Sequence, residues 1–224
     1  MDDPFLLRRG EVAELFLVRH ADAIPEADEI IPSGVYDDLP LSRVGREQAA
    51  ALAERLKSMS FHAAYSSPLR RCQETAAPLL EYLRLPLILV PDIKEIHLGN
   101  PYPLPQDIQD MAELTRALHA RQAEIVRLAG GAGNWDAVPN SEPSKEFRQR
   151  VVTSIDTIAR QHAGERVLIF AHGGVINAYV AECLGLTKDF FFPAANTSIS
   201  VVRVNGGQRV LYVLNDLSHL PRRA

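Results

Sequence analysis

Leu15-Phe16-Leu17-Val18-Arg19-His20-Ala21-Asp22 is the stretch on which the reading of this chain turns. Four consecutive apolar residues make a strand buried on both faces, the kind found inside a parallel sheet. The run stops at Arg19 and His20, a cation and a titratable imidazole placed where the strand meets its loop. Either the pair is an ordinary polar strand end, or it is one wall of a site whose other walls come from distant segments.

Those segments follow in order. Residues 21–40 carry Pro25, Pro32, Gly34 and Pro40 and read as a loop leaving the Arg-His pair. Ser42 can cap a helix over 43–57, where Ala49, Ala50, Leu52, Ala53 and Leu56 recur at helical spacing. A second buried strand, Phe61 to Ser66, runs through Ser67 and Pro68 into a helix over 68–84. Arg70 and Arg71 lie in its first turn, where cations oppose the helix dipole by about 0.3–1 kcal/mol each. Such a placement has a purpose if the helix N-terminus holds an anion. A third strand, Leu85 to Val90, leads to Glu95, which alone reads as a solvated carboxylate.

Residues 99–106, G-N-P-Y-P-L-P-Q, are too proline-rich for regular structure and open an insertion. Helices are expected over 107–129 and 144–162, and 97–143 reads as a cap inserted in a single domain spanning 1–224. The run Arg166 to Ala171 is a fourth buried strand, and it ends as the first does, with His172 at its tip. Gly173 and Gly174 follow, opening a helix from Val175 to Leu184 whose free amides suit an anion. Ser198–Val204 and Gln208–Leu214 flank Asn205-Gly206-Gly207, a hairpin signature that closes the sheet.

The 224 residues suffice for one domain with a sizeable core. A net charge of −4 argues against a nucleic-acid binder, so any bound anion must be held by local positive groups. Cys72 and Cys183 stand far apart, which suggests neither a disulfide framework nor a zinc site. No apolar run approaches the ~20 residues of a membrane span, and M-D-D-P-F-L-L-R-R-G lacks a secretion-signal core. A cytoplasmic setting without membrane contact is the expectation.

Taken together, Arg19-His20, Arg71, Glu95 and His172 resemble the signature of the histidine phosphatase superfamily, the phosphoglycerate-mutase-like or RHG-motif proteins. The blocks that carry the resemblance are L-V-R-H-A-D, L-S-R-V-G-R-E-Q-A (41–49), S-S-P-L-R-R-C-Q-E-T-A (66–76), K-E-I (94–96) and F-A-H-G-G-V (170–175). The resemblance implies a three-layer α/β/α sandwich around a mostly parallel sheet of roughly six strands. It places the nucleophile on His20, phosphate-binding roles on Arg19, Arg71, His172 and the Gly173 amide, and the proton donor on Glu95. No metal and no cofactor is required by this chemistry. Ala21 departs from the usual glycine after Arg-His, and the residues after Glu95 depart from the common pattern.

The activity so implied is hydrolysis of a small phosphorylated substrate through phosphohistidine. The alternative is mutase-type phosphoryl transfer, which the arginine-poor insertion disfavours: between Ile96 and Lys145 the cations are Arg116, Arg121 and Arg127, with His97 and His119 besides. A non-catalytic phospho-ligand or protein-binding module is the third reading. The assembly, a homodimer included, is left open. Cys72 reads as packing, and His62, His119, His162 and His219 as surface residues.

Overall fold

The computed structural model describes residues 11–29, 38–99 and 110–221. Its strands are β1 (Ala13–Arg19), β2 (Ala63–Ser66), β3 (Leu87–Leu89), β4 (Arg166–Ala171), β5 (Ile199–Asn205) and β6 (Gln208–Asp216). They form one sheet in the order β3-β2-β4-β1-β5-β6. Strands β1 to β4 run parallel, β5 is antiparallel to β1, and β6 is antiparallel to β5. The helices are α1 (Arg43–Leu56), α2 (Arg70–Leu83), α3 (Met111–Ala132), α4 (Ser144–Gln161) and α5 (Gly173–Cys183).

The two-residue alternation of a strand explains why β1 has no polar face. Phe16 and Val18 join Leu52, Leu56 and Leu79 of α1 and α2 in one cluster. Leu15 and Leu17 join Phe147, Val151, Ile155 and Tyr179 of α4 and α5 in another. Strand β4 divides likewise, Leu168 and Phe170 to the first cluster and Val167 and Ile169 to the second. The result is the three-layer sandwich expected from the sequence.

Two differences from the sequence reading have physical causes. The third strand shrinks to Leu87–Leu89 and is not buried: Ile88 and Leu89 are 45% and 46% exposed, because β3 is a sheet edge with β2 as its one neighbour. Helix α3 begins at Met111, capped by Asp110, whose carboxylate accepts from the Glu113 amide, and ends at Ala132 before Gly133 with φ 75°. The expected start at 107, the Pro-rich stretch 100–106 and much of the 21–40 loop lie outside the described residues. Among the described residues, no helix is long and apolar enough to cross a membrane.

What positions the site is the adjacency of β2, β4 and β1. Their parallel pairing aligns Ser66 with Phe170 and Arg19 with Ala171, so three strand ends open on one edge of the sheet. The loop entering antiparallel β5 arrives at the same edge, as shown by the Thr197 amide donating to the Arg19 carbonyl at 3.1 Å.

Candidate active site

Each strand end delivers one chemical group. His20 follows β1, its amide bonded to the Ala171 carbonyl at 2.9 Å. His172 follows β4 and stands at the N-terminus of α5. Beyond β2, Arg71 lies in the first turn of α2. Glu95 follows β3 by way of a short 3-10 turn, Pro91–Ile93. Arg19, His20, Arg71, Glu95 and Gly173 all line one cavity of about 590 Å³, and the fully buried His172 lies just behind, its ring centroid 5.2 Å from that of His20.

The hydrogen bonds fix the imidazoles. His20 Nδ1 lies 2.7 Å from the Ala21 carbonyl, which can only accept, so Nδ1 carries the proton and Nε2 keeps its lone pair. An Arg71 Nη2 donates to His172 Nδ1 at 3.3 Å, so His172 Nε2–H donates to Ser67 Oγ at 2.8 Å. Burial, reinforced by the charges of Arg71 and Arg19, holds His20 well below the usual histidine range. Burial, with Arg71 behind it, does the same to His172, so a cationic His172 is disfavoured in the free chain.

Arg19 marks a place suited to an anion. Its Nη1 donates to the Ala194 carbonyl at 2.5 Å, whereas its buried Nε meets no acceptor among the described residues. A buried guanidinium N–H is expensive to leave unpaired, and an oxyanion beside it would repair the loss. Glu95 faces the same space with its carboxylate held by two amides, Gly174 N–H at 3.1 Å to Oε2 and Ile96 N–H at 3.1 Å to Oε1.

Several sequence blocks now have causes. Ser42, which caps α1, and Gln48 on α1 clamp Asp22, the first through a 2.5 Å hydroxyl bond to Oδ2 and the second by accepting the Asp22 amide at 2.9 Å. Between them a Cβ on Gly45 would come within 1.9 Å of the Asp22 carbonyl oxygen. Thr75 accepts the Ala21 amide at 2.9 Å, which ties the loop after His20 to α2. Ala21 is not among the described non-glycine residues with positive φ, so a Cβ costs nothing there. Arg70 turns outward to Glu74 at 2.5 Å, and Arg71 lines the cavity.

Other residues were not legible. Ser67, Thr75 and Asn196, the last donating to the His20 carbonyl at 3.0 Å, are common residue types whose role depends on tertiary contact. Arg150 on α4 donates to the Asp92, Lys94 and Glu95 carbonyls and to Glu142, stapling the turn that carries Glu95. His119, Arg121 and Gln122 of α3 line the cavity. Of the histidines read as surface residues, His162 bonds Tyr65 and Glu165, and His219 is half-buried against Thr197.

The family model of the histidine phosphatase superfamily (branch 1) matches residues 15–217. A metal-independent phosphoserine phosphatase of Arabidopsis thaliana is 30% identical over 94% of this chain and 84% of its own length. A phosphoglycerate mutase-like protein of the same plant is 29% identical over 94% and 88%. The native structure of a mycobacterial glucosyl-3-phosphoglycerate phosphatase superposes with a TM-score of 0.68 at 25% identity, covering 91% of this chain and 99% of that one.

Proposed function

This chain belongs to the histidine phosphatase superfamily, and from that premise we propose that it hydrolyses phosphomonoesters through a phosphohistidine on His20. The observation that supports this most is the pairing of a neutral, tautomerically fixed His20 with the unsatisfied, buried Nε of Arg19 in one cavity. A nucleophile with a free lone pair and a buried guanidinium N–H able to bind an oxyanion are what in-line phosphoryl transfer needs.

In the first step His20 Nε2 attacks phosphorus, the N–P bond forms, and the bond from phosphorus to the leaving oxygen breaks. Arg19 and Arg71 hold the non-bridging oxygens where charge spreads. His172, fixed by Ser67 and Arg71, completes the wall, and an arriving phosphoryl group supplies the negative charge that the free site lacks. The leaving oxygen takes a proton from Glu95. In the second step water attacks phosphorus, returns a proton to Glu95 and releases His20.

Hydrolysis is favoured over mutase transfer by the wall opposite His20. Of the three arginines between Ile96 and Lys145, Arg121 alone lines the cavity among the described residues. The face of α3 made by Leu118, Ile125 and Val126 supports reading 97–143 as a cap over that cavity. A small phosphorylated ester is the proposed substrate, and a cytoplasmic setting the proposed location.

The test is phosphate release from p-nitrophenyl phosphate and conversion of 3-phosphoglycerate, each with and without EDTA. EDTA-insensitive release, an acid-labile phosphoenzyme, and loss of at least about 1,000-fold in His20→Ala are expected. Efficient formation of 2-phosphoglycerate, or an acid-stable label, overturns the reading.

A further inference from the structure

Helix α3 turns one face to the cavity. Leu118, Arg121, Gln122, Ile125 and Val126 line it, at the i, i+3, i+4, i+7, i+8 spacing of a single helical stripe. Such a stripe calls for apolar residues, and Arg121 breaks it with a charge. Neighbouring cations are differently placed: Arg127 is exposed and paired with Glu124, and Arg116 is exposed. Arg121 is half-buried and makes no hydrogen bond or ion pair with the described residues. Among the described residues, the two carboxylates on the cavity wall are committed elsewhere, Asp22 to Ser42 and Glu95 to two amides.

The rest of this wall is mainly apolar, with Ile24, Leu39, Leu98, Trp135 and Phe190 among its residues. A guanidinium lining such a wall gives up part of its hydration, and no described residue offers it an opposite charge, so a ligand that brings one is favoured there. Size points the same way. At about 30 Å³ per water-sized group, a phosphorylated three-carbon acid fills about half of a cavity of about 590 Å³. Space remains for an apolar body between the phosphoryl grip and α3.

We propose that Arg121 is the specificity-determining cation of this site, and that it selects phosphomonoesters whose leaving group carries a carboxylate on an apolar body. The guanidinium fork receives the carboxylate, the apolar wall receives the body, and Arg19 and Arg71 hold the phosphoryl end. This rests on the phosphatase reading and narrows its substrate class.

The experiment compares 4-carboxyphenyl phosphate with phenyl phosphate, two esters that differ by one carboxylate. The readout is the ratio of their kcat/KM values in the natural chain and in Arg121→Gln, Arg121→Lys and Arg121→Glu. In Arg121→Gln the ratio falls roughly 10- to 100-fold, the worth of a charge-assisted hydrogen bond. In Arg121→Glu it falls further, and in Arg121→Lys it is partly kept. An unchanged ratio, or an equal loss on both esters, overturns the proposal. Calorimetric binding of 4-carboxybenzylphosphonate against benzylphosphonate reads the same ratio without turnover. A chain that hydrolyses neither ester therefore sinks the phosphatase reading, while the binding ratio still decides the role of Arg121.

Discussion

At the scale of single residues, the site depends on atoms that are absent as much as on those present. A Cβ on Gly174 would come within 2.3 Å of Glu95 Oε1 and 3.0 Å of Trp135, so the hydrogen at that position is what lets the Glu95 carboxylate lie on the α5 N-terminus. Gly174→Ala is expected to push Glu95 from its amide and to lower kcat/KM roughly 10- to 100-fold, with the phosphoenzyme still forming from a substrate whose leaving group needs no proton. Equal losses on 2,4-dinitrophenyl phosphate and on an alkyl phosphate would show that Glu95 was not what moved. The sequence announced His20 and His172 because each interrupts an apolar run at a strand tip. It did not announce Ser67 or Thr75, because a hydroxyl that orients an imidazole or holds a loop looks like any other serine or threonine until the strands are paired.

At the scale of elements, the legible parts were those with a strong period or a hard stop. β4 and α4 were placed within a residue or so of their ends, since each is an apolar pattern bounded by polar residues. The edge strand β3 was not, because its exposure follows from its place in the sheet order and not from its own composition. Nor was the link from α4 to the Glu95 turn. Arg150 stacks over the Phe147 ring at 4.7 Å and reaches three carbonyls of the 92–95 turn, so one helix sets the position of a group that it does not carry. Arg150→Met keeps the stacking volume but removes the donors. Its expected result is a loss of roughly tenfold in kcat/KM with little change in thermal midpoint, smaller than the loss in Glu95→Gln, and faster amide exchange confined to the 92–96 turn. Unchanged exchange there would sever the proposed connection.

At the scale of the whole molecule, burying two neutral imidazoles beside two guanidinium groups ties stability to pH. Both histidines are held well below 6.5 in the folded chain, chiefly by burial, whereas the unfolded chain takes up protons near 6.5. Their contribution is therefore complete above pH 6.5 and is lost as pH falls below it, at up to about 1.4 kcal/mol per pH unit for each imidazole. Denaturant midpoints measured from pH 7.5 to 5 should fall steeply in the natural chain and less steeply in His20→Gln; parallel slopes would contradict this. Cys72 belongs to the same buried neighbourhood, its thiol fully covered and 3.4 Å from the Ala171 carbonyl. Burial pushes that thiol, and likewise Cys183, up to about 12, so neither sulfur carries thiolate at neutral pH. A phosphatase that attacks with nitrogen and keeps its sulfurs protonated offers peroxide little thiolate to oxidise, and its turnover should survive oxidative conditions that silence enzymes built on a reactive cysteine.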